Sequence, residues 1–181
     1  MTEPGVLEKI RPLSYSFYTG RRTLDVASGL LGKHLVRTQG KRTWVGRIVE
    51  TEAYIGESDP ACHAFHGRTP RTQVMYGAPG HAYVYFTYGM HFMLNIVTES
   101  EGFPAAVLIR ALEPEYGFDG KDPRPASGPG KVCKAMRIDK KLNGISLLDK
   151  RLWIGTSGAR IRPDQVRWSA RIGIAQGQDK L

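Results

Sequence analysis

The chain has 181 residues, 41% of them hydrophobic, and carries 26 lysines and arginines against 17 acidic residues, a formal charge of +9. That length suits one globular domain with a single sizeable core, and the basic balance favours polyanionic partners, nucleic acid first, although surplus lysine also serves solubility alone. Cys62 and Cys133 form no Cys-x-x-Cys pair, no apolar run approaches the roughly 20 residues of a membrane span, and the N-terminus lacks the basic-then-apolar order of a signal sequence, which argues against a secreted disulfide scaffold or a membrane protein.

Residues 1–20 read as a loosely ordered lead-in. Apolar spacing at Leu24, Val26, Ala27, Leu30 and Leu31 then predicts a short amphipathic helix, ended by Gly32. The pattern changes to strands over 33–38 and 43–54, joined by a turn at Gln39 and Gly40. Residues 57–80 are rich in turn formers and predict a long loop with a short helix near Cys62. Two further strands meet around 87–90, another covers 105–117, and "GPGKVCKAM" predicts a helix with Val132, Ala135 and Met136 on one side. The tail reads as further strand and loop. The expected fold is α+β, one domain over residues 1–181, with a mainly antiparallel sheet core, a protruding β-hairpin and flanking helices.

Several residues could carry chemistry. Strand alternation sets Ile48, Glu50, Glu52 and Tyr54 on one face, so two carboxylates stand beside a tyrosine. One of them could act as a general base, while spacing alone leans towards two solvent-facing acids. Asp59, Cys62, His63 and His66 invite comparison with a zinc site, but their spacing fits neither a closed structural site nor the deaminase pattern, and a pocket hydrogen bond suits His63 better. The Gly-Lys pairs at 32–33 and 130–131 lack the rest of a phosphate loop. Arg68 and Arg71, and Lys131, Lys134 and Arg137, are candidates for phosphate contact or for an ordinary solvated surface. In "AYVYFTYG", Tyr83, Tyr85 and Thr87 share a face, with Tyr85 suited to a pocket wall, Tyr83 to packing at the sheet margin, and Tyr88 to the hairpin turn, where its ring projects.

Taken together, "VETEAYIGESDPACHAFHGRTPRTQVMYGAPGHAYVYFTYGMHFMLNIV", "VLIRALEP" and "SGPGKVCKAM" resemble the alkyladenine (3-methyladenine) DNA glycosylases, over most of the chain from "LDVASGLLGKHLV" to "GPGKVCKAMRID". The resemblance implies a monofunctional enzyme of base excision repair that acts as a monomer on double-stranded DNA containing damaged purines. It implies that Glu52 activates water with help from Arg110, that Glu50 is a structural neighbour, and that Tyr54 and Tyr85 stack the extruded base. It further implies that His63 hydrogen-bonds at the base's edge, that Asn95 disfavours guanine's exocyclic amine, and that Tyr88 occupies the vacated place in the duplex. Arg68, Arg71, Lys131 and Lys134 would lie along the DNA backbone. No metal or organic cofactor is implied, and the location would be cytoplasmic, with the nucleoid. Two other readings stay open: a non-catalytic nucleic-acid-binding domain on the same scaffold, and a metal-dependent hydrolase using Cys62, His63 and His66. The chain departs from the pattern at Thr72, where an asparagine is expected, and it stops at "GQDKL", short of the C-terminal segment such proteins often carry, which points to truncation there.

Overall fold

In this computed structural model, which describes residues 5–87 and 89–174, seven strands form one sheet. They are β1 (Arg11–Pro12), β2 (His34–Gln39), β3 (Arg42–Ile55), β4 (Ala82–Thr87), β5 (His91–Val97), β6 (Ala105–Tyr116) and β7 (Leu152–Thr156). The spatial order is β1-β7-β2-β3-β6-β5-β4, and every neighbouring pair is antiparallel. With helices α1 (Gly5–Glu8), α2 (Thr23–Leu30) and α3 (Pro129–Ala135), this is the α+β domain expected. The lead-in carries α1 and β1 in its described part, and Tyr18 is fully buried.

Helix α2 buries Thr23, Val26, Ala27 and Leu30, the three-and-four spacing of a helical stripe. Its first turn leaves backbone donors without helical partners, and Glu99 meets one of them. The carboxylate accepts from the Thr23 amide at 2.6 Å and from the Thr23 hydroxyl at 2.7 Å. Beyond the helix the chain turns at Gly32, where φ is +74° and a Cβ would lie 2.6 Å from the Ile161 side chain, so glycine is required both for conformation and for space. Helix α3 starts on Pro129 and buries Val132 and Cys133.

One sheet face packs against α2 and α3, with Val26, Leu30, Ile48, Leu94, Ile96, Val107, Ile109 and Met136 in the main core. On the other face a smaller cluster, including Cys62, Met75, Tyr76 and Tyr83, packs beneath the long loop. Thr72 anchors that loop: it is buried, its hydroxyl accepts from the Thr69 amide at 2.8 Å, and it reaches the Gly67 carbonyl at 3.1 Å.

Strict alternation along β3 does not hold. The register against β6 slips between Ile48 and Glu50 and again between Glu50 and Thr51, a β-bulge. The extra residue, Val49, is exposed, and Ile48 enters the main core together with Ala53. Ile48 therefore does not share the face of Glu52, because an inserted residue reverses the side-chain alternation beyond it. Glu50, Glu52 and Tyr54 face the other way, towards the site.

Candidate active site

Four adjacent strands bring the site together. Tyr54 on β3, Arg110 on β6, Asn95 on β5, and Tyr83 and Tyr85 on β4 line one cavity of about 350 Å³. The long loop adds His63, Pro129 comes from the start of α3, and Ile172 and Gly173 close a wall from the C-terminal segment. The volume lies near the lower end of the range for small-molecule sites.

Glu52 stands behind this wall, with its side chain only 7% exposed. Tyr54 donates its O–H to Glu52 Oε2 at 2.8 Å, the Ile172 amide donates to Oε1 at 2.8 Å, and Arg110 Nη1 lies 3.1 Å from Oε1. Arg110 also donates through Nε to Glu50 at 2.9 Å. Arg110 falls at the bulge, opposite no residue of β3, and its guanidinium bridges the two carboxylates that alternation along β3 sets on one side. Burial opposes its charge, but Glu52 and Glu50 hold its pKa above the usual value. Burial, and then the charge of Glu52, push the Tyr54 phenol far up, so it keeps its proton and serves as a donor. The carboxylate borders a second hollow of about 290 Å³ on the far side of Ile172, with Glu50, Trp168 and Arg171.

The rings of the slot are mutually oriented. His63 meets Tyr85 edge-on at 4.3 Å between ring centres, and Tyr83 lies 5.3 Å from Tyr85. His63 Nδ1 and the Tyr83 hydroxyl share a hydrogen bond of 3.0 Å. Burial, with the nearby Arg71 charge, lowers the His63 pKa to about 4, so the ring is neutral near pH 7. Asn95 is buried and donates through Nδ2 to the Tyr83 carbonyl at 3.3 Å, which fixes the side chain in the cavity wall. Tyr83 is thus more than margin packing: its phenol is buried and bonds His63.

The remaining predicted residues sit around this set. Arg71 lies over the Tyr85 ring at 5.1 Å and Arg68 over the Tyr76 ring at 5.5 Å. Lys131 pairs with Asp122, and Lys131 and Lys134 border a separate basic hollow with Lys41, Arg42 and Arg137. Tyr88 lies outside the described residues. Cys62 is buried, and burial pushes its thiol up to about 11; among the described residues, no three of His, Cys, Asp and Glu are grouped so as to hold a metal ion.

Sequence reading weighed Asp59 only as a metal ligand and missed Arg171 and Ile172 as parts of the site. Arg171 and Asp59 form a buried two-point ion pair at 2.6 and 2.9 Å, and the Arg171 guanidinium lies 4.8 Å from the Tyr54 ring centre. The partners are 112 positions apart in sequence, and no local pattern joins them.

The profile of the family described as Methylpurine-DNA glycosylase (MPG) matches residues 16–181. A protein of Carboxydothermus hydrogenoformans named "Putative 3-methyladenine DNA glycosylase" is 47% identical over 175 residues, covering 92% of this chain and 91% of its own length. Proteins with the same name in Methanocella arvoryzae and Legionella pneumophila are 55% and 50% identical, over 75% and 80% of this chain and 72% and 76% of their own lengths. The class is that of a DNA glycosylase. The chain belongs to the methylpurine-DNA glycosylase family.

Proposed function

We propose that this chain excises alkylated and deaminated purines from double-stranded DNA, the class of 3-methyladenine, 7-methylguanine, hypoxanthine and ethenoadenine, and leaves an abasic site. The observation that carries this reading is the buried Glu52 carboxylate, held by Tyr54, Ile172 and Arg110 at the wall of an aromatic cavity. A base inside a duplex is out of reach, so it is extruded at a cost of a few kcal/mol. Stacking between Tyr54 and Tyr85, worth about 1–3 kcal/mol per base, offsets part of that cost and suits almost any purine. Tyr88 takes the vacated place in the duplex. Selection comes from the lesion, because alkylation or mispairing eases extrusion and an electron-poor base leaves more readily. His63 and Asn95 add contacts at the base's edge.

Cleavage of the N-glycosidic bond develops positive charge on the deoxyribose, as in glycoside hydrolysis. Glu52 stabilises that charge and directs a water at the anomeric carbon, and Arg110 holds the carboxylate in place. Among the described residues no lysine lines the cavity, which supports water as nucleophile over an enzyme-linked imine. The enzyme works as a monomer, without metal or cofactor, in the cytoplasm on nucleoid DNA. Arg68, Arg71, Lys131 and Lys134 contact the backbone.

Single-turnover excision from duplexes that each carry one lesion tests the proposal. Wild type releases free base, and Glu52→Gln is slower by about 10²–10⁴-fold while binding the same duplex within about threefold. Equal rates for the two proteins, or no release by wild type from any lesion, would overturn it.

A further inference from the structure

We infer that Arg171 is a positioning residue, a latch that sets both the hydrolytic carboxylate and one wall of the base slot. The inference rests on the reading of Glu52 given above. Arg171 and Asp59 are 1% and 3% exposed in their side chains, and each guanidinium Nη reaches its own carboxylate oxygen. Nη1 also donates to the Ala53 carbonyl at 3.1 Å, so the fork is tied to the backbone of β3 between Glu52 and Tyr54. Its plane backs the Tyr54 ring at 4.8 Å, while Tyr54 lines the cavity and Arg171 lines the hollow behind it.

The next residue in the chain supplies the second contact. The Ile172 amide follows the Arg171 carbonyl directly, and it donates to Glu52 Oε1 at 2.8 Å. Fixing the Arg171 side chain on β3 therefore fixes the direction in which that N–H points. Stability alone does not call for an ion pair here, because well-packed apolar residues often replace a buried pair without loss. What apolar packing does not supply is directional geometry: a planar fork with five donors holds one register of the segment, where methyl groups tolerate several. Rigid support of this kind governs rate, since displacement by about 1 Å at a reacting group costs on the order of 10²-fold.

The test uses the full chain and the paired variant Asp59→Leu/Arg171→Met, which avoids leaving one charge buried alone. Thermal melting establishes that the pair is folded. Three measurements then apply: single-turnover excision, affinity for a lesion duplex, and hydrogen exchange of the Ile172 amide. The latch predicts excision about 30- to 100-fold slower, affinity within about threefold, and Ile172 exchange at least tenfold faster. Arg171→Lys, which keeps the charge and loses the fork, recovers less than a tenth of the lost rate. Should the paired variant fail to fold, Arg171→Lys takes its place in the same three measurements. Guanidinium added at millimolar concentration accelerates Arg171→Ala and leaves Glu52→Gln unchanged. A folded variant with wild-type excision, or with an Ile172 amide as protected as in wild type, overturns the latch. Absence of base release by wild type itself overturns the proposed function instead, and the Ile172 exchange then decides the latch separately.

Discussion

At the scale of single residues, Glu52 is held by three donors from three segments, and Tyr83 supports His63 through one shared hydrogen bond. Tyr83→Phe leaves a buried imidazole nitrogen without that partner, which costs about 1–2 kcal/mol of stability and is measured by denaturant unfolding. His63 makes a second prediction. Its folded pKa is lowered to about 4, against about 6.5 when unfolded. Between those values the unfolded chain takes up a proton that the folded chain refuses, so stability falls as pH drops from 6.5 to 4. The loss is about 2 kcal/mol once the ring's partial contact with solvent is allowed for. Thermal melts at pH 7 and pH 5 show it, and His63→Phe flattens the difference. Asp59 contributes in a lower window: burial raises its pKa, the Arg171 pair outweighs this, and its stabilisation is present above about pH 4 and lost as pH falls further. The residues of the slot were legible because a distinctive string carries them. Arg171 was not, since an arginine in a basic tail looks like any solvated charge until its distant aspartate is in place.

At the scale of elements, long strands and the stripe of α2 were readable from period and turn signals. The bulge at Val49 was not, because it arises from pairing with β6 and leaves no mark in the alternation of β3 itself. Its effect is on the site: it turns Glu50 and Glu52 together away from the core face that Ile48 enters, to the side where both reach Arg110. The start of α2 likewise depends on a distant group, the Glu99 carboxylate 76 positions away. Glu99→Ala removes that cap and lowers unfolding free energy by about 1–2 kcal/mol, with single-turnover excision by the folded protein unchanged. In the main core, Ile109→Ala costs about 2–5 kcal/mol, because the sheet and helices around it are too well tied to close the space.

At the scale of the molecule, one sheet separates two jobs: its α2 and α3 face stabilises, and its other face holds the cavity. Positive charge is spread across the chain, so affinity for duplex DNA falls steeply with salt, by a slope of about 0.9 per phosphate contacted. If Lys134 meets a phosphate, Lys134→Ala lowers that slope by about one and weakens binding alike for damaged and undamaged duplexes, as salt titrations measure. The central claim is that a damaged purine leaves the helix and enters the cavity beside residue 52. The structure of Glu52→Gln bound to a duplex with one ethenoadenine tests this most directly. The account predicts the modified ring between Tyr54 and Tyr85, with its sugar next to residue 52. An ethenoadenine still stacked within the duplex, with the protein bound through another face, would contradict it.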